Sequence, residues 1–445
     1  MRIHIVAAKT PRVLMVVWNA IEGDSRVQKE AQSLSVAGCD VALVGVSSLG
    51  SRLSGSLGAV RVEVFPIGNS ATSANRRSSS TLKSRIRTLA KKVPGAAARG
   101  RVRSMENYSK LVAQQIRSEC DIENFDVVHI QDYKALELGL DLYQGTKKLV
   151  YDAHEYLPGI DQAGPLQDYF EDLEKIGIAL SEAVITVSPI IAERIIVEQN
   201  PSCEVTVIRN TPLVDVESGP RDIRQDTGLG NEVPLVVYSG SVAPQRGLAT
   251  LLDAMLDLES IHLAVVAPNQ HSLDGYLNSG KYASLSSRLH VVPFVSPGQV
   301  AHYLRTADVA VHPMPSHIDG REVLNHQFAL PNKWFEYVRA GLPVVVSDVE
   351  ALSALVRECG NGEVFASNDP HSLADALKKV FSEKPKYQEN VTQEMRNDSD
   401  WQIDGKKLVD VYSALFPEWK PTMSTSSENS ALTLASLTEP QLKCR

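Results

Sequence analysis

Short apolar runs rich in β-branched residues recur along the chain, and each is followed by a polar turn and then by apolar residues at helical spacing. Runs that are apolar on both faces are typical of buried parallel strands, and their alternation with helices predicts doubly wound sheets. The predicted strands cover residues 13–18, 41–46, 127–130, 149–152, 184–187 and 206–208, then 235–238, 262–266, 291–295, 309–312 and 344–347. The pattern therefore predicts an α/β protein with two Rossmann-like doubly wound domains.

A chain of 445 residues is too long for one ordinary core and suits two domains of roughly 200 residues each. Residues 212–231 are rich in glycine, proline and charge, which favours a linker. We therefore predict an N-terminal domain over residues 1–211, a C-terminal domain over residues 232–397, and a helix within residues 398–420. The tail, residues 421–445, is rich in Ser and Thr without aromatic residues, which predicts disorder.

The charge of the chain is unevenly distributed. The formal net charge of -8 argues against a nucleic-acid binder, yet residues 64–105 contain no Asp or Glu. The basic residues of this block are Arg76, Arg77, Lys83, Arg85, Arg87, Lys91, Lys92, Arg99, Arg101 and Arg103. Residues 76–103 could contact phosphate or an anionic membrane surface, or could be a solvated surface segment, and the sequence leaves both open.

The cysteines and the apolar runs bear on the cellular compartment. Five scattered cysteines form neither a zinc pattern nor an even disulfide framework, which fits a reducing compartment. No apolar run is long enough to span a bilayer, and the N-terminus is a poor signal peptide. We expect a cytoplasmic protein, and a peripheral position at the inner membrane face is left open.

Doubly wound sheets bind ligands at the carboxyl ends of their strands, so the loops there are the candidates for chemistry. After the first strand, Gly23 would allow close backbone approach, while Asp24 either caps the next helix or meets a ligand. The same segment contains Arg26. A G-x-G-x-x-G dinucleotide fingerprint is absent from this loop.

Two further loops of the first half carry histidines at strand ends. His129 and Asp132 lie at one of them, and His154 lies between Asp152 and Glu155 at the next. An imidazole there could bond a hydroxyl group or share a proton at neutral pH, although a single histidine is usually structural. The flanking carboxylates favour the first interpretation for His154.

In the second half, a loop from Ser239 to Gly247 joins a strand to a helix. Ser239, Gly240 and Ser241 would expose backbone N–H groups, and Arg246 adds a full charge beside a helix N-terminus. This combination suits a diphosphate. The alternative is a plain turn with a surface arginine.

The stretch from Ala329 to Asp348 contains a helix predicted to run from about Asn332 to a C-cap at Gly341. Asn332, Lys333 and Glu336 lie in its first turns, where a cation and a carboxylate could meet a phosphate and a ribose diol. A carboxylate near a helix N-terminus is also an ordinary partner of the helix dipole.

At this stretch the chain resembles the retaining family 4 glycosyltransferases of the GT-B fold. The resemblance covers residues 13 to about 417, apart from the basic block. It rests on Gly-Asp-Ser-Arg-Val at 23–27, Tyr-Asp-Ala-His-Glu at 151–155, Ser-Gly-Ser…Arg-Gly at 239–247 and Leu-Pro-Asn-Lys-Trp-Phe-Glu-Tyr…Ala-Gly-Leu-Pro-Val at 330–344. The order and spacing of these motifs are more specific than any one of them.

The resemblance implies two domains facing a central cleft, with the helix at 398–420 crossing back to the first domain. Glu336 would hold the donor ribose, and Arg246 with backbone amides near Gly240 would hold the diphosphate. His154 would contact the transferred sugar, making it, Arg246 and Glu336 the catalytic residues. The segment around Gly23 would lie near sugar and acceptor; Asp24, Arg26, His129 and Asp132 are placed on the acceptor side.

Two departures from the family pattern concern charge. Many members have two glutamates eight positions apart, and the first would fall on Phe328. Many also carry an arginine just after the first phosphate-loop glycine, where this chain has Ser241. Our hypothesis is that Lys333 supplies the missing positive charge.

The resemblance implies transfer of a sugar from a nucleotide-sugar, with UDP slightly favoured over GDP, to a glycan, lipid-linked or small-molecule acceptor. It implies no metal and no cofactor other than this co-substrate, and no nucleic-acid partner. Two alternatives remain open at this point. One is a nucleotide-sugar epimerase of the same fold, and the other is a non-catalytic subunit that binds a partner glycosyltransferase.

Overall fold

The computed structural model describes residues 10–48, 51–67, 96–145, 147–160, 164–213, 221–267 and 270–422. The chain divides into two compact units. Unit 1 consists of Met1–Ile208 and Gly405–Arg445, and unit 2 consists of Arg209–Asp404. Most of the basic block and the tail from residue 423 onward lie outside the described residues.

Unit 1 is built on one eight-stranded sheet with the order β3-β4-β2-β1-β5-β6-β7-β8. All neighbouring strands are parallel except the β3–β4 pair at the edge. The strands are Arg12–Val17 (β1), Asp40–Ser47 (β2), Leu53–Leu57 (β3), Val60–Pro66 (β4), Val127–Gln131 (β5), Lys148–Ala153 (β6), Ala183–Thr186 (β7) and Val205–Val207 (β8). The helices are Ser25–Val36 (α1), Ala96–Glu119 (α2), Leu136–Tyr143 (α3), Pro165–Leu180 (α4) and Pro189–Gln199 (α5).

Unit 2 is built on a six-stranded, wholly parallel sheet with the order β11-β10-β9-β12-β15-β16. Its strands are Leu235–Ser239 (β9), His262–Ala267 (β10), Leu289–Pro293 (β11), Val309–His312 (β12), Val344–Ser347 (β15) and Gly362–Phe365 (β16). A separate antiparallel pair consists of His317–Ile318 (β13) and Arg321–Glu322 (β14). The helices are Ile223–Thr227 (α6), Leu248–Leu256 (α7), Asp274–Leu277 (α8), Val300–Leu304 (α9), Leu324–Phe328 (α10), Asn332–Ala340 (α11), Glu350–Cys359 (α12), Pro370–Ser382 (α13), Lys384–Glu389 (α14) and Gln393–Asp398 (α15).

The central strands are buried on both faces, as their composition predicts. The side chains of residues 13–17 are at most 2% exposed, and successive residues of a strand point to opposite faces. In unit 2, alternate residues of β9 and β10 belong to two different apolar clusters, so these strands are covered by one cluster on each face. The prediction of doubly wound parallel sheets is confirmed.

The last helix, Trp401–Leu415 (α16), begins in unit 2 and continues in unit 1. Within unit 1, the hydroxyl of Tyr412 lies 3.1 Å from Nδ1 of His129. The predicted linker, residues 212–231, differs from the structure in its second part. Residues 223–227 form α6, which begins with a capping box at Asp222. Ile223 is fully buried in the core of unit 2.

Two predicted features of α7 and α11 are confirmed. Helix α7 begins at Leu248, and α11 runs from Asn332 to Ala340 with Gly341 in the left-handed conformation at φ 79°. Trp334, Phe335 and Val338 form the buried face of α11. Among the described residues, no helix is long and apolar enough to cross a membrane.

Candidate functional site

The strand order of unit 1 reverses at β1, which has β2 on one side and β5 on the other. In open α/β sheets, such a reversal leaves a crevice at the carboxyl ends of the strands. The segments that follow β1, β5 and β6 carry Gly23, Asp24, Asp132 and His154. These residues therefore follow the carboxyl ends of their strands, as the sequence predicts, and their contact with a ligand stays a prediction.

The loop between β1 and α1 is held in one conformation by its own side chains. Ile21 has a φ of 69°, which is unusual for a β-branched residue, and it is fully buried. Its N–H donates to Oδ1 of Asn19 at 2.7 Å, and its carbonyl accepts from Gln28 at 2.8 Å. Gly45 leaves the space for Ile21, since a Cβ there would lie 2.7 Å from Cγ1 of Ile21. Strain maintained in this way is typical of functional loops.

Gly23 and Asp24 lie at the end of this loop. A Cβ on Gly23 would meet no atom within 4 Å in the described structure, so packing alone does not require glycine there. Asp24 is the N-cap of α1, because Oδ1 accepts from the N–H of Val27 at 3.2 Å. Its Oδ2 accepts from Asn19 at 2.8 Å. The capping role is confirmed, and contact with a ligand stays a prediction for both residues.

Arg26 lies in α1 and is 3% exposed, so it is not part of the open loop. Its guanidinium donates to both carboxylate oxygens of Asp152, at 2.9 and 3.0 Å, and to the carbonyl of Ile208 at 2.8 Å. Nη2 also lies 3.0 Å from Oε1 of Glu30. Arg26 could therefore affect an acceptor only indirectly, by positioning Asp152 and Glu30.

His129 is likewise fully buried, within β5. Burial lowers its pKa to about 4, so the ring is neutral at physiological pH. Its Nε2 lies 3.2 Å from Nε2 of Gln131, and its Nδ1 lies 3.1 Å from the hydroxyl of Tyr412. Both ring nitrogens have protein partners, which makes direct contact with an acceptor unfavourable.

His154 is half-buried immediately after β6. Its Nε2 lies 2.9 Å from Oε1 of Gln131 and 3.4 Å from Oδ2 of Asp152. Burial alone would lower its pKa, but the Asp152 carboxylate outweighs burial and raises the pKa to about 9. His154 is therefore a cation at neutral pH, while Arg26 and His154 together hold the pKa of Asp152 well below its usual range despite burial.

Asp132 follows β5 with a φ of 68° and caps a short 3₁₀ turn, accepting from the N–H of Tyr133 at 2.8 Å. Burial raises its pKa to about 6, and Glu155 adds to the shift while His154 opposes it. The carboxylate is thus ionised at neutral pH but within reach of protonation in mild acid. Asp132 and His154 are titratable groups that the segments after β5 and β6 bring close enough for the Asp132 carboxylate to raise the pKa of His154.

Ligand atoms of Glu30, His129 and Asp152 lie within 4.8 Å of one another, as they would at a metal centre. The Arg26 guanidinium already bridges Glu30 and Asp152. A guanidinium supplies the positive charge that a divalent ion would bring to the two carboxyl groups. The trio therefore fits Arg26 better than a metal ion.

In unit 2 the strand order reverses at β9, between β10 and β12, and the loop after β9 leads into α7. Gly247 precedes α7 with a φ of 75°, and a Cβ there would lie 1.7 Å from the carbonyl oxygen of Pro313. No side chain among the described residues caps the N-terminus of α7. The first-turn N–H groups of this nine-residue helix are thus free of a side-chain cap.

The backbone amides of this loop are only partly available to a ligand. The N–H of Ser239 donates to the hydroxyl of Tyr337 at 3.0 Å, and the N–H of Gly240 donates to the carbonyl of Val266 at 3.0 Å. Those two amides, which the resemblance assigned to a diphosphate, are therefore used within unit 2. Ser241 is exposed, and its Oγ accepts from the N–H of Ala243 at 3.3 Å.

Lys333 packs directly on Gly240. A Cβ at Gly240, whose φ is 125°, would lie 2.2 Å from Cε and 2.4 Å from Nζ of Lys333. Nζ donates to the hydroxyl of Tyr238 at 3.2 Å and lies 4.5 Å from the centre of its ring. Burial, and next Arg246, lower the pKa of Lys333 to about 8, while Glu336 opposes this.

The other residues predicted for the donor site lie on the same elements. Arg246 is exposed at the end of the loop, and its charge acts on Lys333. Asn332 and Glu336 are half-buried in the first turns of α11, and Glu336 acts on Lys333 as well. The structure thus brings Lys333, Arg246, Glu336 and Gly240 together in unit 2.

Two residues that the sequence did not single out adjoin this group. Tyr337 is fully buried; its hydroxyl accepts from Ser239 and lies 3.4 Å from the carbonyl of Val311. His312, at the end of β12, is 3% exposed, and its Nδ1 has no hydrogen-bond partner in the described structure. Burial, with Lys333 and Arg246, lowers the pKa of His312 well below its ordinary value. The sequence could have indicated His312 as a candidate site residue, because it is the last residue of a predicted strand.

Phe328, at the position where many relatives have a glutamate, is the last residue of α10 and is 3% exposed. An apolar side chain is stable in that environment, whereas an unpaired carboxylate would pay a desolvation cost.

Two family models match consecutive parts of the chain. The model described as Glycosyltransferase Family 4 matches residues 31–211, and the model described as Glycosyl transferases group 1 matches residues 220–398. The chain belongs to the family 4 glycosyltransferases. It is therefore a glycosyltransferase enzyme, and the resemblance seen in its sequence motifs is confirmed.

Relatives agree with this assignment. The enzyme is 25% identical over 310 residues to an uncharacterized glycosyltransferase of Methanocaldococcus jannaschii, a match that covers 65% of this chain and 76% of the relative. Sucrose-phosphate synthase from Thermosynechococcus elongatus has a similar structure, with a TM-score of 0.70 at 15% identity over 92% of this chain and 100% of that chain. Anabaena HepE, in complex with UDP, has a TM-score of 0.62 at 15% identity over 91% and 100% of the two chains. These likenesses confirm the GT-B fold.

Proposed function

We propose that this glycosyltransferase transfers a hexose from a nucleotide-sugar, with a UDP-sugar favoured over a GDP-sugar, and with retention of configuration. The acceptor class is a glycan, a lipid-linked sugar or a small molecule. The observation that carries the proposal is the packing of Lys333 on Gly240, beside Arg246.

The contact between Lys333 and Gly240 supports a diphosphate site for a steric reason. In this arrangement, a Cβ at Gly240 would displace Cε and Nζ of Lys333 from the start of the loop. The left-handed φ of 125° at Gly240 also favours glycine. The loop and α11 therefore together hold one ammonium group close to the point where the β9 strand ends.

The electrostatics support the same ligand. Arg246 disfavours the charged form of Lys333, so the two cations repel each other when no anion lies between them. A diphosphate would relieve this repulsion and could also accept from the uncapped N–H groups of α7. Glu336, whose charge also acts on Lys333, remains the candidate for the donor ribose because a carboxylate can accept hydrogen bonds from a diol.

The proposed reaction is the one that the family resemblance implies. The bond between the anomeric carbon and the diphosphate oxygen breaks, and the acceptor oxygen forms its bond on the same face. Because the acceptor attacks directly on that face, no side chain need act as a nucleophile. The departing diphosphate takes the acceptor proton, so no side chain need act as a base. Lys333 and Arg246 would stabilise the growing charge of the diphosphate, and His154 would donate to the transferred sugar.

The preference for uracil as the donor base comes from one protein of the same fold. HepE, which shares the fold, was solved with UDP. We favour UDP for this enzyme by that analogy, which is fold-level.

A panel of nucleotide sugars, screened by thermal shift and then assayed for product with candidate acceptors, tests the proposal. We expect a UDP-sugar to raise the melting temperature most and to be consumed only when an acceptor is present. Conversion of the donor without an acceptor would instead indicate an epimerase. Absence of calorimetric binding to every nucleotide sugar would instead indicate a non-catalytic subunit.

A further inference from the structure

Gln131 connects His154 to residues that no substrate would touch. It is the last residue of β5, lies beside Asp152 in the sheet register, and is fully buried. Its Oε1 lies 2.9 Å from Nε2 of His154. Its Nε2 donates to Oε2 of Glu30 at 2.7 Å and lies 3.2 Å from Nε2 of His129. The amide thus uses its oxygen and its amino group on three different side chains.

The position of Asp152 decides how this amide is oriented. Oδ2 of Asp152 lies 3.4 Å from Nε2 of His154. A flipped amide would donate to Nε2, whose lone pair would then face the carboxylate as well. With the observed orientation, Nε2–H of His154 faces two acceptors, and neutral His129 accepts from Gln131 through its own Nε2.

We propose that Gln131 is a positioning residue that keeps Nε2 of His154 protonated, so that Nδ1 is the ring atom presented to the transferred sugar. The inference deepens the proposed function and rests on it for the identity of the ligand. The ring geometry itself is a property of the unliganded enzyme. Among the described residues, the hydrogen bond and the ion pair of His154 both involve Nε2, and neither involves Nδ1.

The charges around His154 make Nδ1 a donor as well. Asp152 and Asp132 favour the imidazolium, and Arg26 opposes it. Burial and Asp152 raise the pKa of Glu30 well above its ordinary value, while the pKa of Asp152 is lowered, so Glu30 is the one of the two carboxyl groups that holds a proton. Asp152 is then the anion that holds the His154 cation. Below a pH of about 9, Nδ1–H can donate to a sugar hydroxyl, and His154 cannot accept the proton of the acceptor.

Ring-nitrogen NMR of the ¹⁵N-labelled enzyme tests the inference without any substrate. The His154 signals are assigned by their loss in His154→Gln and followed from pH 6 to pH 10.5. We expect Nε2 to stay protonated throughout, while Nδ1 titrates with a midpoint near 9. Titration at Nε2 with Nδ1 remaining protonated would overturn the assignment.

The variant Gln131→Met removes the amide at nearly constant volume. Asp152, at 3.4 Å, is then the remaining acceptor named above for Nε2–H, so we expect the share of the Nδ1-protonated neutral tautomer above the midpoint to rise from the wild-type value. We also expect a fall of about tenfold or more in kcat with little change in donor KM. Gln167→Met, which removes an amide bonded to Pro158 and Glu171, is the matched control and should change neither. An unchanged tautomer in folded Gln131→Met would overturn the proposal. If that variant does not fold, titration of Nε2 in the wild-type spectrum would still overturn the proposal.

The variant Glu30→Gln tests the charge assignment. Gln mimics a protonated Glu, so the His154 midpoint should stay within about half a pH unit of the wild-type value. A clear fall of the midpoint would mean that Glu30 is an anion that stabilises the imidazolium, contrary to the proposal. The spectra also separate the two proposals. If no nucleotide sugar is used while Nδ1 titrates as expected, only the proposed function fails.

Discussion

The cations of this enzyme differ in how they are neutralised. Buried Arg26 and Arg224 are each paired with a carboxylate, Asp152 and Asp308 respectively. Lys333 is half-buried beside a second cation, Arg246, and the pKa of Lys333 falls as a result. Buried or partly buried charges without close compensation are rare in protein structures except where a ligand supplies the opposite charge.

The first prediction at the residue scale concerns Arg246. Removing one charge-assisted phosphate contact should cost about 2–4 kcal/mol in the transition state, so Arg246→Ala should lower kcat/KM by about 30-fold to 800-fold. Because Arg246 is exposed, the fold should be unaffected. Steady-state kinetics with the preferred donor give the measurement. Exposed Arg305, which donates to the carbonyl of His302, provides the control Arg305→Ala. Near-normal turnover by Arg246→Ala would remove Arg246 from the mechanism.

The second prediction is a pH dependence of donor binding. Lys333 has its pKa lowered from 10.5 to about 8 in the unliganded enzyme, so it loses its charge as the pH rises through 8. UDP should therefore bind more weakly at pH 9 than at pH 7. The same shift means that the unfolded chain holds more protons than the folded one between about 8 and 10.5, so Lys333 makes the unliganded enzyme relatively more stable as pH rises through that window.

Calorimetric titrations of UDP across this pH range give the measurement for Lys333. The variant Lys333→Ala serves as the control, because it retains the titration of UDP itself and of every other protein group. Its affinity should vary less between pH 7 and pH 9 than that of the wild type. Equal pH dependence in the two proteins would contradict the role of Lys333.

At the residue scale, the sequence identified Arg246, Lys333, Glu336 and His154 through motifs and strand ends. The sequence could not identify Gln131, because its role depends on hydrogen bonds to residues distant in the chain. Glu30 lies about 100 positions earlier, and His154 lies 23 positions later. Arg26 is the opposite case. Its motif suggested the acceptor side, but a tertiary partner, Asp152, takes its guanidinium into the interior.

At the scale of elements, two loop glycines differ in the reason for their presence. Gly247 is required by packing, since a Cβ would collide with the carbonyl of Pro313 and its φ of 75° is unfavourable for other residues. Gly23 has open space around its Cα within the described structure. A glycine that packing does not require is a candidate for close approach by a ligand.

Alanine substitutions separate these two reasons. Gly247→Ala should lower the melting temperature strongly, because the backbone of the β9–α7 loop must move. Gly23→Ala should leave the melting temperature within about 2 °C, which corresponds to a change below about 0.5 kcal/mol, yet lower kcat/KM. Thermal denaturation and steady-state kinetics on both variants give the measurements. Full activity of Gly23→Ala would mean that no ligand comes close to this loop.

The prediction of elements succeeded where strands are apolar on both faces. It missed β4, because Arg61 and Glu63 alternate with buried valines and make one face polar. It missed β3 and β16, since each is short and contains glycine or serine among its apolar residues. Strand β11 begins at Leu289, two residues before the predicted start, because His290 interrupts the apolar run.

At the scale of the whole molecule, the basic block of residues 76–103 stands apart from the acidic remainder. Only its last residues are described, at the start of α2. A membrane role for this block stays a prediction from the charge pattern. Neutralising Arg85, Arg87, Lys91 and Lys92 should abolish binding to liposomes that contain anionic lipid. Sedimentation with such liposomes gives the measurement, and binding equal to that of the wild type would count against a membrane role.

The central claim is that Lys333, packed on Gly240 beside Arg246, holds the diphosphate of a nucleotide-sugar. Calorimetric titration of UDP at pH 7 into the wild type, Lys333→Ala and Lys378→Ala tests it most directly. Lys378 is an exposed lysine of unit 2 that pairs with Asp375, so its loss should not change binding. The account predicts at least about tenfold weaker binding for Lys333→Ala alone, the cost of one hydrogen bond to a charged group. UDP affinity equal in all three proteins would contradict it.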